Sequence, residues 1–211
     1  MRPLQVYRTV AHDARIEIVI QKSRFIGWCF PVSTEAEALE KLDNVRRQHR
    51  DASHNCYAYA TGGTGGAARF SDDGEPGGTA GMPMMEVVRN KDVTNLLVVV
   101  TRYFGGVLLG AGGLVRAYAK SASAAIEAAE PVWMRPCIEF AIVCTYPRFQ
   151  VVEPLAKSFG EVTDVLYRED VRLTVLVPEC SAAAFEAAVV DKTDGACHPE
   201  KLNTCFGAFF D

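Results

Sequence analysis

Arg15-Ile16-Glu17-Ile18-Val19-Ile20 alternates polar and apolar side chains for a few residues, the period of a half-buried strand. Phe25 to Val32 reads as a second strand with Pro31 near its end. Thr34-Glu35-Ala36-Glu37 then has the spacing of a capping box, and Leu39, Leu42 and Val45 follow at helical intervals. The pattern predicts a helix over 34–49. Cys56-Tyr57-Ala58-Tyr59-Ala60 predicts a strand that runs into Gly62-Gly63-Thr64-Gly65-Gly66.

From Gly62 to Gly81 the chain holds eight glycines and no apolar periodicity. A loop of that length inside a folded domain is usually functional or mobile. A short helix is expected over Pro83–Val88. The continuous run Leu96-Leu97-Val98-Val99-Val100 suits a strand buried on both faces. It leads through Arg102-Tyr103-Phe104-Gly105-Gly106 to Gly110-Ala111-Gly112-Gly113. An Ala-rich helix over 113–129 should follow, with Ala117, Ala122, Ala125 and Ala129 small enough to approach a sheet closely and Pro131 to stop it.

The last third repeats a simpler pattern. A strand is expected over Cys137–Thr145, a helix from Pro147 to Gly160, strands over Val162–Leu166 and Val171–Val177, a helix over Ser181–Val190 closed by Gly195, and a final strand to Phe210. Strand-helix-strand-strand-helix-strand is the order of a ferredoxin-like α/β sandwich. One residue conflicts: Pro154 lies inside the expected helix and should kink it or delay its start. The class is α+β, in two domains, 1–130 and 131–211.

Composition narrows the function classes. With 211 residues, 49% hydrophobic and 23% charged, the chain is an ordinary folded protein and not a disordered one. No apolar run approaches the ~18 residues of a membrane span, and the N-terminus lacks the apolar block of a secretory signal, so a cytoplasmic, membrane-free protein is expected. A net charge of −4 argues against gripping nucleic acid by brute charge. The balance is uneven, however: residues 1–130 carry 15 basic and 14 acidic side chains, whereas 131–211 carry 7 and 12. A local basic face belongs to the first part if anywhere. The seven cysteines form no Cys-x-x-Cys and are read as free, mostly buried thiols.

Four segments in order, Lys22-Ser23-Arg24-Phe25-Ile26, His54-Asn55-Cys56-Tyr57-Ala58-Tyr59, Asp72-Asp73-Gly74-Glu75-Pro76 and the long stretch from Arg102 to Tyr118, resemble the IMPACT/YigZ family, cytosolic proteins linked to translation control. Gly77 departs from the resemblance, because the family usually has Ser after Glu-Pro. The resemblance implies a first domain similar to domain IV of elongation factor G, the RNase P protein and the GHMP kinases, with a left-handed βαβ crossover against the usual right-handed rule. It also implies a second, ferredoxin-like domain similar to domain V of the same factor. Eukaryotic relatives restrain an amino-acid-starvation kinase by competing for its ribosome-associated activator. They carry an extra N-terminal interaction domain that is not expected here, so that partner is not carried over.

Candidate chemistry concentrates in the first part. Glycines at 105, 106, 110, 112 and 113 before a helix let backbone N–H groups approach an anion where the helix N-terminus carries roughly half a positive charge. Arg102, Arg116 and Lys120 would add charge-assisted bonds to phosphate. Gly105, Gly106, Gly110, Gly112 and Gly113 are equally explained by tight turns and close packing. Asp72, Asp73 and Glu75 are candidates for Mg²⁺, though an acidic turn around Gly74 explains them too. His54, Tyr57, Tyr103 and Phe104 complete a possible cleft, with His54 weighed as a base and the aromatics as stacking partners for RNA. No catalytic residue and no resident cofactor is assigned.

Two functions are open. The first is a non-enzymatic, translation-associated regulator that binds structured RNA, the ribosome or a ribosome-bound protein through its first domain. The alternative is a Mg-assisted enzyme or switch for a phosphate-bearing ligand, with residues 62–81 as its lid.

Overall fold

The computed structural model describes residues 6–62 and 66–209. After a short strand β1 (Tyr7–Val10), the alternating segment becomes β2 (Ala14–Ile20). It turns through Gln21 and Lys22, both left-handed at φ 45° and 67°, and returns antiparallel as β3 (Ser23–Pro31). The capping box then starts α1 (Glu35–Gln48): Thr34 Oγ1 accepts the Glu37 N–H at 3.2 Å, and the Glu37 carboxylate accepts the N–H of Ser33 at 2.7 Å. There follow β4 (His54–Ala60), β5 (Ala68–Ser71), α2 (Gly81–Asn90), β6 (Leu96–Tyr103) and α3 (Gly110–Ala128).

These elements make a unit over Tyr7–Trp133. Its sheet has the order β2-β3-β6-β4-β5, antiparallel throughout. β6 is central and buried along seven of its eight residues, as the β-branched run predicts. β3 and β4 both run antiparallel to β6, so they are parallel to each other, and α1 carries the chain between them. Alternation sends one set of side chains (Phe25, Cys29, Cys56, Ala58, Val98, Val100) against α2 and α3, and the other (Phe30, Tyr59, Leu97, Val99) against α1. α3 lies close to the sheet because both surfaces are small: a Cβ on Gly27 would sit 2.9 Å from the Ser121 carbonyl oxygen and 3.2 Å from the Ala125 methyl.

Sequence and structure differ in places. The glycine-rich stretch 62–81 contains β5, which pairs with β4. Gly63 and Gly65, two of its eight glycines, lie outside the described residues. α2 is longer than the expected 83–88, and α3 starts at Gly110 instead of 113.

A second unit spans Met134–Phe209, the division falling within β7 (Pro131–Cys144), whose first residues belong with the first unit. β7 is followed by α4 (Tyr146–Phe159), β8 (Glu161–Tyr167), β9 (Val171–Pro178), a single 3-10 turn, α5 (Ala182–Lys192) and β10 (Glu200–Phe209). β7 pairs with β9, β9 with β8, and β10 and β1 pair with β7. The final residue of the expected last strand, Phe210, lies outside the described residues. α4 starts at Tyr146 and continues past Pro154, which is exposed, so the proline does not delay its start. The core is one apolar cluster around Phe140, Ile142, Val152, Leu173, Val175 and Phe185. No helix among the described residues is long and apolar enough to cross a membrane.

Candidate functional site

The sequence-singled residues gather at one end of the first sheet, where β3 begins, β6 ends, β4 begins and α3 starts. Arg102 is the in-phase continuation of Leu96, Val98 and Val100, so it points to the α3 side and not to solvent. It is 5% exposed. Its Nη1 donates to Glu75 Oε1 at 2.6 Å, and Tyr118 Oη donates to the same oxygen at 2.7 Å. Its Nη2 reaches Ser23 Oγ at 3.5 Å, and its guanidinium lies 5.5 Å from the ring centroids of both Phe25 and Phe104. The expectation that Arg102 contacts an external phosphate is therefore corrected. The guanidinium neutralises a buried carboxylate, and an arginine so placed has no outward face. The parity of the strand was the signal that could have shown it.

The acidic segment is likewise committed inward. Asp72 Oδ1 accepts the N–H groups of Ala80 and Gly81 at 3.0 and 2.8 Å, and its Oδ2 accepts that of Gly78 at 2.9 Å. It caps α2, which has no capping side chain at its own N-cap, Ala80. Burial alone would raise the Asp72 carboxyl, but these three N–H groups hold it below the ordinary range. Asp73 accepts the Asn55 N–H at 2.7 Å and pairs with Arg46 at 3.2 Å. Glu75 belongs to Arg102 and Tyr118. The three carboxylates thus serve three different sets of partners, and no group of potential ligands able to hold a metal occurs among the described residues. Residues 72–81 are fastened by these bonds, which corrects the picture of this part of 62–81 as a lid.

His54 and Cys56 are held by the same segment. His54 Nδ1 donates to the Asp73 carbonyl at 2.8 Å, with Nε2 3.8 Å from Glu75. Cys56 Sγ donates to the Asp72 carbonyl at 2.9 Å, and burial pushes its thiol up to about 12. Tyr57 and Tyr103, placed with them in one cleft by sequence, point to the opposite, α1-side face. Consecutive strand residues alternate, so His54 and Tyr57, or Arg102 and Tyr103, cannot line one wall.

What stays open is the rim. Phe104, Val107 and Leu108 are 49%, 38% and 84% exposed on the segment joining β6 to α3. Gly105 packs on the Lys22 turn so tightly that a Cβ would lie 2.1 Å from the Lys22 carbonyl, and its N–H donates to Ser23 Oγ at 3.2 Å. Its need for glycine is close approach. Gly106 and Gly110 instead have φ +80° and +68° with open space around them. The N-cap of α3, Leu109, offers no side-chain acceptor, so the first N–H groups of a 19-residue helix face outward uncapped. Gly110 and Gly112 are exposed and Gly113 half-buried. Arg116 and Lys120 are exposed one turn apart on the same side of α3, and Arg116 Nη1 reaches back to 3.6 Å from where a Gly112 Cβ would stand.

Comparison with known proteins follows the same division. Residues 21–126 match the Impact N-terminal domain, and residues 142–196 match a domain of unknown function, DUF1949. The chain is 39% identical to the IMPACT family member YvyE of Bacillus subtilis over 193 residues, covering 91% of this chain and 89% of that protein. It is 35% identical to the IMPACT family member YigZ of Escherichia coli over 84% of this chain and 88% of that protein. A crystal structure described as that of a hypothetical protein aligns with a TM-score of 0.61 at 32% identity, over 95% of this chain and 98% of the other.

Proposed function

The chain belongs to the IMPACT family, and from that premise we propose that it is a non-catalytic, translation-associated docking protein whose first unit holds RNA, free or within the ribosome. The observation that carries the reading is the uncapped start of α3 beside exposed Arg116 and Lys120. Oriented N–H groups and two cations one turn apart suit a run of phosphates, whose contacts position a polynucleotide without reading its sequence. Val107 and Leu108 beside them give an apolar wall against sugars and bases.

The reactive side chains of the first unit are already committed to partners within it. The Glu75 carboxylate is taken by a guanidinium and a phenol, the His54 ring by a carbonyl, and the Cys56 thiol is buried with its proton held. For the first unit, the parallel β3–α1–β4 crossover around an inserted β6 supports the reading of an elongation-factor-G domain IV-like fold. For the second, the order β10-β7-β9-β8 supports a ferredoxin-like sandwich.

The test is ribosome and RNA co-sedimentation of the full chain over a salt series, wild type against Arg116→Ala/Lys120→Ala. The expected result is salt-sensitive pelleting of the wild type, with the log–log salt slope reduced by roughly 0.7–0.9 for each phosphate contact removed. Salt-independent pelleting, or a double variant equal to wild type, would overturn the assignment and direct attention to a protein partner.

A further inference from the structure

The α1-side face of the first sheet is only partly covered. α1 packs on Phe30, Tyr59, Leu97 and Val99, but towards β2 and the end of β6 the face carries Arg15, Glu17, Arg24, Trp28 and Tyr103. Two of these are direct cross-strand pairs in which a guanidinium lies on a ring. Arg15 sits over Trp28 at 5.3 Å, and Arg24 sits over Tyr103 at 5.0 Å. Between the rings stands His49, from the C-terminal cap of α1, 5.6 Å from Trp28 and 6.0 Å from Tyr103.

We propose that this Arg15–Trp28–His49–Tyr103–Arg24 surface is a stacking platform for the unpaired bases of a single-stranded RNA segment. The inference rests on the RNA reading above and names the part of the RNA that reaches this face. An arginine lying on an aromatic ring has one planar face bound and the other turned outward, and bases stack on guanidinium planes as they do on aromatic rings. The Arg15 and Arg24 side chains are 48% and 47% exposed, so those outer planes are accessible.

The acidic neighbours do not abolish the charge match. Glu17 bonds both arginines, at 3.2 and 2.9 Å, and steadies them over their rings. Asp51 accepts from Tyr103 Oη at 3.1 Å, and Asp43 lines a shallow cleft with Arg46 and Arg47 of α1 and Arg50 just past its end. Because Tyr103 spends its proton on Asp51, the 2.8 Å bond to His49 requires Nδ1 of that ring to be the donor. Nε2, which has no hydrogen bond among the described residues, is left as an acceptor for an N–H of a base edge, and becomes a donor to phosphate only when the ring is protonated. Tyr103 leads into Phe104 and Gly105 on the segment that joins β6 to α3, so the platform and the rim lie at the same end of the sheet on its two opposite faces.

The experiment compares two RNAs of about 12 nucleotides, within the usual site sizes for single strands, by fluorescence anisotropy with the full chain at low salt: oligouridine, and an abasic strand of the same length. The wild type is expected to bind oligouridine about tenfold more tightly or better, the worth of one stacked base. The variant Arg15→Lys/Arg24→Lys keeps the charge but loses the planes. It is expected to bind the abasic strand within about twofold of wild type and to lose the preference for oligouridine. Arg116→Ala/Lys120→Ala should weaken both strands alike. A wild type with no preference, or a preference that survives the lysine variant, overturns the platform while leaving the RNA reading standing. Failure to bind either strand overturns both. Displacement of oligouridine by an equal charge of oligoglutamate would mark an acidic protein segment as the occupant and also overturn the platform.

Discussion

The two units solve the interior differently. In the first, Ser23, Asn55, Glu75, Thr79, Thr101, Arg102 and Ser121 are buried among apolar neighbours and tied to one another or to backbone. In the described part of the second, Thr193 is the single buried polar side chain, and its hydroxyl closes the end of α5 and accepts the Cys197 N–H. An apolar core tolerates many sequences of similar volume. A buried ion pair that also takes a phenol and fixes a capping loop tolerates few, because every member left alone is a desolvated polar group. The first unit therefore holds a particular surface in a particular shape, and the second is built chiefly to be stable.

The largest expected effect tests that contrast directly. Glu75→Ala should cost about 3–5 kcal/mol, since it strands the Arg102 charge in the interior. Phe185→Ala, in the apolar core of the second unit, should cost a similar ~3–5 kcal/mol through the cavity it opens. The two differ in rescue. Adding Arg102→Met to Glu75→Leu should recover most of the first loss, less about 1–3 kcal/mol for a Tyr118 hydroxyl deprived of its acceptor. No partner change should rescue Phe185→Ala. Both tryptophans, Trp28 and Trp133, precede Met134, so urea unfolding followed by their fluorescence reports the first unit, and circular dichroism reports both. A Glu75→Ala variant less than about 1 kcal/mol below wild type would erase the distinction.

A smaller effect shows where the units are alike. A Cβ on Gly105 meets the Lys22 carbonyl at 2.1 Å, and one on Gly160 meets the Leu176 oxygen at 2.0 Å. Each glycine is there for close backbone approach, and Gly105→Ala and Gly160→Ala should each cost about 1–3 kcal/mol. Gly77, with nothing within 4 Å of its Cβ position, is the control. Gly77→Ser should stay within about 0.5 kcal/mol of wild type in the same urea titrations.

How legible these features are in the sequence follows from which force sets each one. Periodicity shows β2 and α1 because burial acts on every second or every third-to-fourth residue, the unbroken apolar run shows β6 because it is buried on both faces, and the capping box shows the start of α1. The four motifs that carry the family resemblance supply nearly every member of the buried network, Ser23, His54, Cys56, Asp72, Asp73, Glu75, Arg102 and Tyr118. Their roles were not legible. Charged residues beside a glycine turn suggest an external ligand, and only the fold reveals that Arg102 and Glu75 meet each other. β5 was missed because its four residues, Ala68–Ser71, are mostly exposed and alternate nothing. The Arg-on-aromatic face was missed because its members, Arg15, Arg24, Trp28, His49 and Tyr103, come from three strands and a helix cap, and their adjacency is a matter of register.

The smallest expected effect concerns pH and belongs to the first unit. Burial of the His49 ring, and then the positive charge of Arg15, hold its pKa below the ordinary 6.5, with Arg24 adding to the shift and Asp51 opposing it. Above pH 6.5 the ring is neutral folded or unfolded and contributes no pH dependence. As the pH falls below 6.5, the unfolded chain takes up a proton that the folded chain refuses, so stability declines until the pH passes below the depressed folded value. His49→Gln should remove that decline while leaving in place the separate loss at lower pH, where protonation of Asp72 releases the cap on α2. The measurement is the thermal midpoint, read through Trp28 fluorescence 5.6 Å from the His49 ring, between pH 7 and roughly pH 5. Equal slopes for wild type and His49→Gln over that window would show that neither burial nor the arginines depress the ring's pKa. If the slopes differ, repeating the titration with oligouridine present sharpens the result. A phosphate beside Nε2 offsets the two guanidiniums and returns the proton, so bound RNA should flatten the wild-type decline and leave His49→Gln unchanged.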